Sequence, residues 1–180
     1  MRTYKFRPPM MNRSTKTFAI NDNSGKKVGE IERYFNFIGQ NVLSTFINMS
    51  NVKVRSVLGE TSLDFKEKSL FKNLLFNKWD VNYKKDGKLH HFELRDKTKI
   101  KTNQLFLYTF LGRNMHVKSK VMDRTTRFYK EQSGHLKIVA EVSYDTLIPP
   151  YTYTLNLHDD SIHYCEIAGV YYLMHINSSD

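Results

Sequence analysis

Few side chains in this sequence have types and spacings that could do chemistry. His90 and His91 are its one adjacent histidine pair. On a strand, neighbours point to opposite faces, so these two do not chelate a single metal. His158, Asp159, Asp160 and His163 form a denser polar group. Asp159, Asp160 and Ser161 are good helix N-cap types, and their negative charge suits a helix start. A shared metal site is the alternative, and capping explains the same residues more simply. Cys165 lies in an apolar run and reads as an inert core thiol. As the single cysteine it rules out an internal disulfide and argues against a structural zinc cluster. Glu166 is the most informative of these residues. If its helix is enclosed, the carboxylate needs an Arg or a Tyr hydroxyl as partner. The patterns GxxxxGK, GxGxxG and GxSxG do not occur. No catalytic residue, metal or cofactor is expected.

Basic residues are the stronger lead. The formal net charge is +10, and it is unevenly placed. Residues 1–83 carry net +7, residues 84–130 net +9 and residues 131–180 net −6. Lys84, Lys85 and Lys88 cluster at one hairpin. Arg95, Lys97, Lys99 and Lys101 recur with period two, so a strand would project them from one face. Lys118 and Lys120 do the same, with Arg113, Arg124 and Arg127 nearby. If these strands are neighbours, their outward charges make a surface for phosphates. An anionic lipid surface, an acidic protein and a nucleic acid would all be attracted. No exposed aromatic series for base stacking is evident, which favours a headgroup or a protein over single-stranded nucleic acid. The plain alternative is a solvated lysine-rich surface.

These residues must be positioned by strands. The chain has 180 residues, 40% hydrophobic and 13% aromatic, enough apolar area for an ordered fold and suited to one domain, 1–180. Alternation marks strands at Thr17–Ile20, Val28–Tyr34, Asn41–Met49, Val52–Leu58 and Trp79–Tyr83. It continues at Leu89–Leu94, Leu105–Leu111, Met115–Val121, Thr125–Tyr129, Leu136–Val142 and Tyr151–Leu157. Asp86-Gly87 and Ser133-Gly134 punctuate the series as turns. Residues 62–78 are ambiguous, with i,i+4 pairs favouring a helical turn over Lys68–Phe76. About ten to twelve short strands imply a mainly β fold, a closed barrel or a sandwich. From Ile162 to Ile176 apolar residues surround a helix on every side, so protein must enclose it. An antiparallel barrel of sufficient bore would do so; a sandwich or lipocalin-like barrel with the helix outside is the competitor.

The segment Asp22 to Ile31, the Trp79–Gly87 hairpin and the apolar final helix together resemble the tubby C-terminal-like superfamily, which includes the LURP-one-related proteins and is similar to the phospholipid scramblases. The resemblance runs from about residue 17 to 176. It implies a closed antiparallel barrel of twelve strands around a central C-terminal helix, here 158–176. It also implies phosphoinositide headgroup binding through basic surface residues. Scramblase features are missing: no cysteine cluster, no proline-rich N-terminal region and no calcium loop. The expected function is a non-enzymatic module that binds anionic phospholipid headgroups at a membrane surface. An adaptor for an acidic protein is the second expectation, and an enzyme using Glu166 or His163 at the barrel mouth the third. Met1–Pro9 has no apolar run of signal length, and Ile167–Met174 is too short to span a bilayer, so a cytoplasmic protein, peripheral at a membrane, is expected.

Overall fold

The computed structural model describes residues 1–10, 14–35, 51–68, 77–100, 102–120, 123–146 and 150–178. The alternating segments form antiparallel strands: β1 (Arg2–Phe6), β2 (Phe18–Asp22), β3 (Lys27–Tyr34), β4 (Asn51–Ser56), β5 (Thr61–Glu67) and β6 (Lys78–Lys85). They continue as β7 (Lys88–Asp96), β8 (Asn103–Phe110), β9 (Arg113–Lys120), β10 (Thr125–Gln132), β11 (His135–Tyr144) and β12 (Tyr153–Leu157). Each pairs with its sequence neighbours, and β1 pairs with β12, closing a barrel. Closure removes the sheet edges.

The alternation read from the sequence is the pattern of the wall. Phe18 and Ile20, Val52 and Val54, Leu63 and Phe65, and Trp79, Val81 and Tyr83 all face inward and are buried. Asp86 and Gly87 both take positive φ, as do Ser133 and Gly134, which matches the right-handed twist of the strands they join. The β8–β9 turn falls on Leu111-Gly112, also at positive φ, while Arg113 and Asn114 already belong to β9. β1 is too short for its alternation to stand out in the sequence, although Tyr4 and Phe6 face inward. Of the ambiguous stretch 62–78, residues 62–67 belong to β5 and Lys78 opens β6. The helical turn expected over Lys68–Phe76 and the strand expected over Asn41–Met49 fall outside the described residues, apart from Lys68.

One helix among the described residues, α1 (Tyr164–Ser178), follows β12. It begins two residues later than Ile162. Asp159 holds the preceding turn, its carboxylate accepting the Ser161 amide at 2.9 Å. His163 caps the helix instead, with Nδ1 accepting the Cys165 amide at 3.2 Å. From Tyr164 to Met174 every residue is buried. Its side chains meet inward residues from strands spread round the closed sheet. Tyr164 stacks on Tyr4 of β1 and donates to the Val28 carbonyl of β3 at 2.6 Å. Tyr172 meets Phe18 of β2 edge-on, and Tyr171 meets Tyr153 of β12. Gly169 is the point of closest approach: a Cβ there would lie 2.5 Å from Phe65 of β5 and 3.0 Å from Val54 of β4. An eight-stranded barrel is filled by its own side chains, so one with twelve strands needs something more inside.

Because neighbouring strands are antiparallel, all hairpins of one sense lie at one end. That turn end carries the β2–β3, β4–β5, β6–β7, β8–β9 and β10–β11 turns and the start of α1. The other end carries the remaining connections and the end of α1.

Candidate functional site

Glu166 is the one fully buried carboxylate among the described residues, at 0% exposure. Tyr108 Oη of β8 donates to its Oε1 at 2.8 Å, and Arg113 Nη2 of β9 donates to its Oε2 at 3.2 Å. Both partner types expected from the sequence are present. Burial pushes the carboxyl upward, and Arg113 and Tyr108 pull it back. Arg113 also donates to the Ser161 carbonyl at 3.2 Å, so it clamps the start of α1 to the wall. The Glu166 carboxylate is sealed from solvent, so a substrate has no access to it. His163 is partly buried, and its pKa is lowered to about 4, chiefly by desolvation. Cys165 is buried and its thiol is pushed up to about 12. His90 and His91 lie on opposite sides of β7, His90 against Tyr83 and Phe110 and His91 exposed. No group of three His, Cys, Asp or Glu that could hold a metal occurs among the described residues.

The basic residues separate into two surfaces. β7, β8, β9 and β10 are neighbours, and register brings several cations to one outer face. Arg95 lies opposite Leu107, Lys118 opposite Leu105 and Arg127, and Lys120 opposite Asn103. Lys97 joins the same row through its amide, which bonds the Leu105 carbonyl at 2.7 Å. Lys99 and Arg124 flank this face in the adjoining loops, both exposed. Its arginines are already engaged, Arg95 with Glu93 and Arg127 with Asp123 and Glu141. Lys118 lies over the Tyr129 ring. Lys101 falls outside the described residues. Arg113 is turned toward Glu166, its side chain 11% exposed, and is not part of this face.

Lys84, Lys85 and Lys88 lie at the turn end, the far end of β6 and β7 from Arg95. None makes an ion pair among the described residues. Lys85 sits directly opposite Lys88, a like-charge pair that costs the hairpin stability. Lys84 lines a cleft of about 490 Å³ on the outer face of β3 to β6, with Lys27, Lys53 and Arg55. Sequence reading did not single out these three. Register explains the gathering: Arg55 and Lys84 are both opposite Ser62, and Arg55 is opposite Glu30. Glu30 lines the cleft too, holding Lys27 at 3.1 Å and Arg55 at 3.3 Å. Arg55 reaches Glu32 at 2.9 Å as well. These carboxylates position the arginine and leave the cleft with more cations than anions.

A closed antiparallel barrel followed by a helix buried on every face is a fold of a particular kind. The chain matches the Tubby C-terminal like domain over residues 4–177 and belongs to that family. A solved structure of a protein from Arabidopsis thaliana is similar to it with a TM-score of 0.48 and 15% identity, over 96% of this chain and 90% of that one. No curated protein matches. Among the described residues, no helix is long and apolar enough to cross a membrane.

Proposed function

We propose that this protein is a non-enzymatic module that docks on a membrane surface by binding anionic phospholipid headgroups, with α1 filling the bore of its barrel. The observation that carries this reading is the cleft at the turn end, where Lys27, Lys53, Arg55 and Lys84 converge beside the unpaired Lys85 and Lys88. Phosphate oxygens suit such a set. Arg55, oriented by two carboxylates, presents a fixed guanidinium, and the lysines add charge without fixed geometry. The like-charge pair at the hairpin tip is relieved when an anion settles between its members. Family membership supports the same class of ligand, because tubby domains bind phosphoinositides.

The test is co-sedimentation with phosphatidylcholine vesicles, alone or doped with phosphatidylserine or a phosphoinositide. Binding is expected only to the doped vesicles and is expected to weaken with salt. Each basic residue near the surface contributes about 1 kcal/mol, so Lys53→Ala with Lys84→Ala lowers the affinity about 30-fold. Equal, salt-insensitive binding to neutral and anionic vesicles refutes the reading. The β7–β10 face lies toward the other end, so Lys118→Glu with Lys120→Glu leaves vesicle binding unchanged.

A further inference from the structure

We propose that the turn end of the barrel is a membrane-inserting crown: aliphatic side chains at or next to the tips of four successive hairpins enter the acyl boundary of an anionic bilayer while the lysines among them meet its headgroups. This rests on the headgroup reading above and adds how the protein sits on the bilayer.

Exposed large aliphatic side chains are concentrated at this end. Val57 and Leu58 form the β4–β5 turn, Leu89 opens β7, Leu111 forms the β8–β9 turn, and Leu136 and Ile138 open β11. These hairpins are consecutive round the wall. At the other end the exposed large hydrophobics among the described residues are Met10 and Ile100. Isolated exposed apolar residues need no explanation, but their gathering on one rim does.

Leu111 adds an independent observation. It takes φ 48° and is 59% exposed. Asn, Asp and Gly adopt this conformation far more readily than a bulky aliphatic residue, which is strained there. Asp86 and Ser133 fill the equivalent positions of the neighbouring turns with residues suited to them. A leucine that strains its turn and leaves more than half of its surface in solvent gives the fold little in return, which points to a role outside it.

The occupant follows from shape and charge. The tips are separate protrusions round a rim and not one continuous patch. A folded protein would need a matching pocket for each, whereas a lipid interface deforms around all of them. Lys84 lies directly opposite Leu89, and Lys85 and Lys88 flank the same hairpin, so aliphatic and cationic groups alternate at one depth. Apolar insertion combined with attraction to anionic headgroups is the combination that holds peripheral proteins at a bilayer. The cleft of Lys27, Lys53, Arg55 and Lys84 opens beside Val57, so a lipid engaged by the crown places its headgroup phosphate there.

The experiment compares the full chain with Leu58→Ser, Leu111→Asn and the double variant. Two readouts are taken: sedimentation with phosphatidylserine-doped or phosphoinositide-doped vesicles, and calorimetric binding of a soluble inositol phosphate. The double variant is expected to lose roughly tenfold or more in vesicle affinity and to bind the soluble headgroup as the parent does. Leu111→Asn suits its backbone better than leucine, so its melting temperature is expected to be unchanged or raised, and lost binding is not lost folding. Leu58→Trp is expected to shift its emission to the blue on anionic vesicles and to be quenched by brominated acyl chains. Salt-sensitive vesicle binding that the leucine variants leave intact overturns the crown and keeps the headgroup site. Loss of headgroup and vesicle binding by the parent overturns both. Concentration-dependent dimers that the same variants abolish, without vesicle binding, assign the rim to a second copy and overturn the proposal.

Discussion

Replacing Arg113 by Met tests how the buried carboxylate is held. Glu166 accepts one neutral donor, Tyr108, at 2.8 Å and one charged donor, Arg113, at 3.2 Å, with side chains only 1% and 11% exposed for the ionic pair. At 3.2 Å and an effective dielectric constant of about 20, the attraction is about 5 kcal/mol. Arg113→Met leaves an enclosed anion with only the tyrosine, and a loss of about 3–5 kcal/mol is expected. Domains of this size have about 5–15 kcal/mol in all, so the variant should still fold but near its threshold. Glu166→Gln costs less, about 1–2 kcal/mol, because the guanidinium keeps the Ser161 and Phe110 carbonyls as acceptors and lies nearer water. The double variant recovers much of the difference, which gives a cycle with a coupling of a few kcal/mol. The pH dependence has a definite sign. Burial raises the folded-state pKa of Glu166, so its contribution is most favourable below the unfolded value and is lost as pH rises through the folded one. Removing Arg113 raises the folded pKa further, so the gap between variant and parent narrows as pH falls. Urea midpoints at neutral and mildly acidic pH measure all of this. Equal costs for the two single variants, with no pH dependence, would show that the carboxylate is solvated and that the sealed clamp is wrong.

Two further predictions concern the fold. Gly169→Ala puts a Cβ at 2.5 Å from the Phe65 ring, so thermal or urea unfolding should show a loss of about 1–3 kcal/mol, partly restored by Phe65→Leu. The rings of His163 and His175 are both lowered to about 4, chiefly by desolvation. They stay neutral in the fold and take protons first in the unfolded chain, so stability falls as pH drops from about 6.5 toward 4, by at most about 3 kcal/mol per ring. His175→Gln should flatten that slope relative to the parent, and an unchanged slope would show that the ring is open to water.

Local pattern carried most of the architecture into the sequence. Period-two alternation marked strands such as Trp79–Tyr83, paired turn residues marked their ends, and the all-round apolar character of Ile162–Ile176 required burial. The unread parts depend on contacts between distant segments. β1 is five residues, and its role comes from pairing with Tyr153–Leu157 at the other end of the chain. On β3 the outward Glu30 and Glu32 suggest a charged side and an apolar side, yet the inward residue beside Ile31 is Arg33, at 3% exposure.

The cations show why charge along a chain is a poor map of charge in space. Lys88 and Arg95 are seven positions apart on one extended strand, about 24 Å end to end, so proximity in sequence separates them. Lys27 and Lys84 are far apart in sequence, and the ladders of β3 to β6 bring them to one cleft. An antiparallel barrel sorts side chains by height along its axis more than by chain position. Residues next to hairpin turns share one end, whichever hairpin they come from. That sorting places Leu58, Leu111, Lys84 and Lys88 at a common level, and it is the reason a planar partner, met end-on, would touch all of them together.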